Sequence, residues 1–373
     1  MTTEPISYAA RAAVLRAAGG PMQIEEVKIS APKGDEVLVR MVGVGVCHTD
    51  IVCRDAFPVP LPIVLGHEGS GVVEAVGDRV TRVQPGDHVV LSFNSCGHCG
   101  NCEHDHPSNC LQMMPLNFGG AQRVDGGSTL DANGEPVTTL FFGQSSFGTY
   151  ALAREVNTVK VDKEVPLDIL GPLGCGIQTG AGAAINSVGL KAGQSLAVFG
   201  GGSVGLSALL GAVSVGASTT IVVEPNAGRR ALALELGATH AIDPFACDDV
   251  AAKIRELSKG GVTHCIDTTG LPPVISNAIN STLPGGTVGM LGFAAPDAQV
   301  PATLMELLTR SVTLRPITEG DADPQQFIPH MVQLYKAGKF PFDKLISKFP
   351  FEQINEACEA AEKGSAIKPV LVF

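Results

Sequence analysis

The chain is 373 residues long, beyond the size at which one hydrophobic core usually keeps growing, so two domains are expected. A net charge of -11 and a pI near 5.3, with Lys and Arg scattered, argue against nucleic acid or an anionic membrane surface as partner. No segment offers 18 uninterrupted apolar residues, and the N-terminal stretch MTTEPISYAARAAVLRAAGG lacks an apolar core of signal-peptide length, so a soluble cytoplasmic protein is expected.

In chain order, the segment from Asp35 to about Phe93 reads as short strands punctuated by Gly or Pro: EVLVRMVGVGV, SGVVEAVG and GDHVVLSF. From Asn94 to Phe147 the sequence is rich in Gly, Cys and His and has little periodicity. It is too long for an ordinary connection inside a compact domain and needs something to organise it. After Leu190 the pattern becomes alternating: LAVFG, a glycine cluster, a helical run over Val204 to Val215, TTIVVE, and the helix signal NAGRRALALELG with Asn226 as N-cap and Gly237 as stop. The units HAID, VAAKIRELSKG, THCIDTTG, PVISNAINSTL and GTVGMLGF continue it. This alternation predicts a parallel, doubly wound α/β sheet. From about Thr318 the character changes again, and a last strand KPVLVF is expected to return to the first domain. The domains are therefore expected at 1–180 with 318–373, and at 181–317.

Ten cysteines in a chain without an export signal point to metal or thiolate chemistry rather than disulfides. Cys96, Cys99, Cys102 and Cys110 follow C-x2-C-x2-C-x7-C, a spacing that lets four thiolates of one loop converge on a zinc ion. His98, His104 and His106 lie in the same stretch and could substitute for one thiolate. A closed four-ligand site folds its loop and leaves no position for chemistry. A dispersed second set, Cys47 in GVCHTD, His67 in LGHEGSG and Cys175 in GPLGCGIQTG, is weak on spacing alone, since lone residues of this kind are more often core.

Gly200, Gly202 and Gly205 in FGGGSVG form G-x-G-x-x-G between a predicted strand and a predicted helix. There the backbone of Ser203 and Val204 opens a helix N-terminus suited to a pyrophosphate. Glu224 ends the next strand about 20 residues on, where a carboxylate accepts hydrogen bonds from an adenosine ribose and repels a 2'-phosphate, so NAD is expected rather than NADP.

Taken in order, GVCHTD, GHEGSG with VVEAVG, the four-cysteine loop, GCGIQTG and FGGGSVG resemble the zinc-containing medium-chain alcohol dehydrogenases over essentially the whole chain. Segments such as CHTDIVCRDAFPVPLP, SFNSCGHCGNC, LNFGGAQRVDGG and RPITEGDADPQQFIP resemble, within them, the bacterial geraniol and benzyl alcohol dehydrogenases. The resemblance implies a GroES-like β-rich catalytic domain beside a Rossmann domain. It also implies two zinc ions per chain, one catalytic and one structural, with NAD and reversible oxidation of primary allylic, monoterpene or aromatic alcohols such as geraniol, perillyl alcohol or benzyl alcohol.

Residue by residue, the resemblance makes Cys47, His67 and Cys175 the catalytic zinc ligands. It gives Asp50 the carboxylate behind the ligand His, and Glu68 a carboxylate that visits the metal. Thr49 becomes the hydroxyl that takes the alcohol proton. The His that normally continues the relay three positions later is Val52 here, so the usual terminal base is missing. His48 and Lys368 fall at basic contacts to the pyrophosphate, Thr179 at the nicotinamide and Arg229 at the adenosine ribose. Phe93, Phe141, Phe142 and Phe147 fall in segments that line the alcohol cleft, with Leu116 to Gly127 as a possible substrate-side loop.

The partner is then a small alcohol or aldehyde, and the assembly an isologous homodimer through the nucleotide domain, with a tetramer as the alternative. Two other readings stand beside this one. A glutathione-dependent formaldehyde dehydrogenase needs a cation for the glutathione carboxylate, for which that loop offers Arg123. A non-catalytic zinc-binding scaffold needs a basic face that the net charge does not suggest.

Overall fold

A computed structural model describes residues 7–119, 130–132 and 135–373. The chain divides into two compact units, the first formed by Met1–Cys175, Asp323–Gln333 and Asp343–Phe373 and the second by Gly176–Ala322 and Leu334–Phe342.

In chain order the strands are β1 (Ser7–Leu15), β2 (Gln23–Ser30), β3 (Glu36–Gly45), β4 (Ile63–Val64), β5 (Gly69–Val76), β6 (His88–Leu91), β7 (Leu130–Ala132), β8 (Glu135–Val137), β9 (Tyr150–Arg154) and β10 (Thr158–Lys160). There follow β11 (Ser195–Phe199), β12 (Thr219–Val223), β13 (His240–Ile242), β14 (Val262–Asp267), β15 (Thr282–Met290), β16 (Thr313–Pro316), β17 (Ile346–Pro350) and β18 (Lys368–Val372).

The first unit holds two sheets. One runs β4-β1-β2-β7-β8, and the other runs β10-β6-β5-β3-β18-β17 with β9 also pairing β3. β3 explains its own place. Its sequence EVLVRMVGVG is apolar almost throughout, which suits a strand covered on both faces, and all but two of its residues are buried. The last strand, β18, pairs antiparallel with β3 and parallel with β17, so the C-terminal strand lies inside this sheet. The core between the sheets gathers Val37, Val39, Leu65, Leu91, Phe141 and Phe147.

In the second unit six strands run in the order β13-β12-β11-β14-β15-β16, with every neighbouring pair parallel. The chain starts in the middle and winds outward in both directions, so β11 lies at the topological switch point. The expected helices form at Ser203–Ser214, Ala227–Glu235, Val250–Leu257 and Pro272–Ser281. Asn226 caps the second of these, its side chain accepting from the Arg229 amide. Residues 334–342 cluster with this unit, not with the terminal return expected of everything after 318. Phe340 and Phe342 are fully buried, and Gly338, Lys339 and Pro341 share a cleft with Leu210, Val213 and Leu236.

Candidate functional site

In the first unit the loop after β6 folds around the sulfurs of Cys96, Cys99, Cys102 and Cys110, which lie within 4.8 Å of one another. Cys96 and Cys102 sulfurs are 3.9 Å apart and Cys99 and Cys102 sulfurs 3.5 Å. Four thiolates about 2.3 Å from a tetrahedral zinc stand roughly 3.8 Å from each other, so the spacing fits the ion. The amides of Cys99 and Cys96 donate to Cys96 Sγ and Cys110 Sγ at 3.3 Å, and that of Gln112 also donates to Cys110 Sγ. Such donors favour thiolate over thiol. Those of Leu111 and Cys102 pull Cys99 down to about 6. Two of the three nearby histidines turn to backbone instead: His98 Nδ1 lies 2.7 Å from Cys96 O and His104 Nδ1 2.6 Å from Gly100 O.

A second cluster forms from residues far apart in sequence. Cys47 precedes the helix His48–Asp55, His67 sits between β4 and β5, and Cys175 ends the turn Gly171–Gly174. Their ligand atoms, with a carboxylate oxygen of Glu68, lie within 4.8 Å of one another, and all four residues are buried. His67 Nδ1 is 2.9 Å from Asp50 Oδ1, while Nε2 is buried with no hydrogen-bond partner. An orphaned ring nitrogen facing two sulfurs in a closed interior is costly unless something accepts its lone pair, and a zinc ion does so. Cys47 is held well below the usual thiol range, first by the Cys175 thiol and then by the charge of Lys368.

Asp50 fixes the site from behind. One oxygen receives the Gly66 amide at 3.0 Å as well as the ring, and the other receives the Cys47 amide at 3.0 Å. Thr49 is buried, its hydroxyl 3.8 Å from Cys47 Sγ. Val52 lies one turn further along the same helix, half-buried.

Glu68 is paired with Lys368, whose Nζ donates to both carboxylate oxygens at 2.8 and 2.9 Å and to Val46 O at 3.3 Å. Burial alone would lower the Lys368 ammonium, but the Glu68 carboxylate outweighs it and keeps the ammonium charged. Only glycine fits at position 45, because a Cβ there would lie 1.9 Å from Glu68 Oε2. Lys368, expected at the pyrophosphate, is thus buried against Glu68, whereas His48 is exposed.

Aromatic rings cover one side of His67. Phe142 stacks on it at 4.4 Å and Phe141 meets it edge-on at 5.5 Å. Phe118 packs against both phenyl rings, a contact that sequence reasoning did not single out. Phe142 holds a left-handed backbone, φ 50, rare for a bulky residue. Phe93 and Phe147 belong to the same buried core as Phe141 and Phe142, with Phe147 packed against Gly66. Gln144, also missed, is a buried brace that donates to His67 O and Ser92 O and accepts from the Gly69 amide. Residues 120–127 of the expected substrate loop, with Arg123, lie outside the described residues.

In the second unit Gly200 has φ +99, and at Gly205 a Cβ would lie 1.9 Å from Gly200 O, so the turn after β11 requires both glycines. Gly202 caps the helix that Ser203 and Val204 open, and nothing crowds it within 4 Å. Glu224, buried at the end of β12, receives the Gly201 amide at 2.6 Å and the Asn226 amide at 2.8 Å. It therefore braces the same turn. The Arg229 amide donates to the Asn226 cap, and Thr179 on the helix Gly176–Gly182 places its hydroxyl 3.3 Å from Glu319 Oε2.

Residues 33–163 match the alcohol dehydrogenase GroES-like domain family and residues 203–337 the zinc-binding dehydrogenase family. A geraniol dehydrogenase from Castellaniella defragrans is 72% identical over 364 residues, 98% of both chains. Among solved structures, an alcohol dehydrogenase zinc-binding domain protein from Burkholderia ambifaria is 51% identical with a TM-score of 0.96, covering 99% of this chain and 100% of its own. Benzyl alcohol dehydrogenase from Acinetobacter calcoaceticus is 44% identical with a TM-score of 0.94, covering 98% of this chain and 99% of its own.

Proposed function

Because this chain belongs to the zinc-binding medium-chain alcohol dehydrogenases, we propose that it oxidises primary allylic, monoterpene or aromatic alcohols reversibly to aldehydes, with NAD as the oxidant. The observation that carries this reading is the buried, unpartnered Nε2 of His67 facing Cys47 and Cys175 beneath the Phe141 and Phe142 rings. Cys47, His67 and Cys175 would hold a zinc ion, two sulfurs and one nitrogen being a protein ligand set of the kind found where a substrate oxygen also binds. When bound, zinc supplies Lewis acidity that lowers the pKa of a hydroxyl from roughly 16 toward roughly 7, and NAD supplies the hydride acceptor.

The protein's own groups do the rest. Asp50 keeps the proton of His67 on Nδ1, so that Nε2 presents its lone pair. Thr49 takes the alcohol proton, and with Val52 where a terminal base would stand, the side chain at that position cannot end the relay. The buried rings of Phe141 and Phe142 exclude water from His67, and the half-buried Phe118 beside them meets the apolar body of the substrate. Glu224 accepts from the adenosine ribose, and its charge disfavours a 2'-phosphate.

We also propose an isologous homodimer through the second unit. The helix Leu304–Arg310 exposes Leu304, Met305 and Leu308, next to the sheet edge at β16. Among the described residues no helix is long and apolar enough to cross a membrane, and a cytoplasmic location is part of the same reading.

Steady-state kinetics over geraniol, perillyl alcohol, benzyl alcohol and straight-chain alcohols test the substrate class. The highest kcat/KM is expected for an allylic or aryl alcohol with NAD. A preference for S-hydroxymethylglutathione would replace this reading.

A further inference from the structure

Glu319 is an acidic residue that the reaction outlined above leaves without a role. It follows the carboxyl end of β16, and it is 8% exposed. Its backbone opens a run of three left-handed residues, Glu319 at φ 50, Gly320 at φ 65 and Asp321 at φ 47. Non-glycine residues occupy this region only where the surroundings impose it, and such residues gather at functional sites.

The imposing surroundings are the helix Gly176–Gly182. A Cβ at Gly320 would lie 2.6 Å from Gln178 O and 2.9 Å from Thr179 O, and one at Gly182 would lie 2.5 Å from Gly320 O. Asn186 Nδ2 donates to Gly320 O, and Arg315 pairs with Asp321 at 2.7 Å. The docked segment brings Glu319 Oε2 within 3.3 Å of Thr179 Oγ1 and 3.4 Å of Gln178 Nε2, both of which donate to it. The same helix is pressed onto the phosphate turn, since a Cβ at Gly180 would lie 2.0 Å from Val204 O.

In a doubly wound sheet a dinucleotide lies across the carboxyl ends of the strands, with one half on each side of the switch point. Glu224 ends β12 on one side of β11, so the adenosine half belongs there. The nicotinamide half then lies over β14 to β16, where Glu319 and Thr179 meet. Of the acids on that side, Asp267 is consumed in closing its own turn, accepting from the amides of Thr269 and Gly270 and from the Thr269 hydroxyl.

We propose that Glu319 is a positioning residue for the nicotinamide, orienting the Thr179 hydroxyl and placing a fixed negative charge that favours the cationic, oxidised ring over the neutral, reduced one. This rests on the reading that the cofactor is NAD bound at the carboxyl ends of this sheet. The charge difference between the two ring states is one unit, so the carboxylate discriminates between them while its hydrogen bonds serve both.

Equilibrium binding to the zinc-loaded protein tests it, with NADH followed by its fluorescence and NAD by displacement of NADH. Glu319→Gln keeps the shape and removes the charge. It is expected to weaken NAD about tenfold, the order a single charge contributes at a few ångströms in a partly buried site, and to leave NADH within about twofold. Glu319→Asp, which tolerates the left-handed backbone, should retain the preference for NAD. Thr179→Val removes the donor but keeps the charge, so both forms should weaken in parallel. A loss confined to NAD in Thr179→Val would assign the selectivity to the hydroxyl and overturn the proposal. Parallel losses, or none, in Glu319→Gln overturn it as well. If Gly205→Val binds NADH as tightly as the wild type, the dinucleotide is not at this turn and the premise fails, whatever Glu319→Gln does.

Discussion

His67 is oriented from behind by Asp50, faced by the sulfurs of Cys47 and Cys175, and covered by the Phe142 ring. Each neighbour removes one freedom from the imidazole: its tautomer, its tilt, its access to water. Phe142 occupies a backbone region that costs about 1–3 kcal/mol, offset in part by a ring contact worth about 0.5–1.5 kcal/mol. The residue with the most to say about proton transfer is one that does not titrate. On the proposed reading Val52 stands where the relay would end, so Val52→His should introduce a group with a pKa of about 6.5. The acid limb of kcat/KM against pH should then shift, and an unchanged profile would show that the relay does not limit the rate.

The thiols divide along the same physical lines. Burial pushes Cys53, Cys265 and Cys358 each up to about 12, so at pH 8 they are neutral and become nucleophilic only as the pH climbs toward that value. Cys247 is half-buried near the surface. Iodoacetamide at pH 8 should therefore label Cys247 first in the zinc-loaded protein, with the four loop cysteines joining only after chelation. Equal labelling of Cys265 and Cys247 would contradict the burial assigned to Cys265.

At the scale of elements, periodicity and punctuation carried far. The alternation after Leu190 gave strands β11 to β15 and their helices close to the expected positions, because each element there buries one continuous apolar set. The Asn226 cap is local chemistry and so was legible. Asn226→Ala should cost about 1 kcal/mol of stability in a denaturant melt, with no change in zinc content.

What could not be read is what only tertiary contact decides. The Glu68 and Lys368 pair spans 300 positions. Gln144 is one amide among polar residues until the segments entering β5 and leaving β6 bring their backbone groups to it. Of the four phenylalanines taken from the cleft segments, only Phe141 and Phe142 reach His67, since a strained turn and not a motif sets their direction.

For the whole molecule, the conspicuous cysteine run and the chemically poised trio have separate parts. The loop of Cys96, Cys99, Cys102 and Cys110 brings four sulfurs together, whereas Cys47, His67 and Cys175 bring two sulfurs and a ring nitrogen together beside the Glu68 carboxylate, and the proposed reading gives the chemistry to this second set. The most direct test is zinc per chain, by atomic emission, in the wild type and in His67→Ala. Two zinc ions in the wild type and one in a folded, inactive His67→Ala protein are predicted. One zinc ion in the active wild type, or two retained by His67→Ala with activity intact, would contradict the assignment of the catalytic metal to this trio.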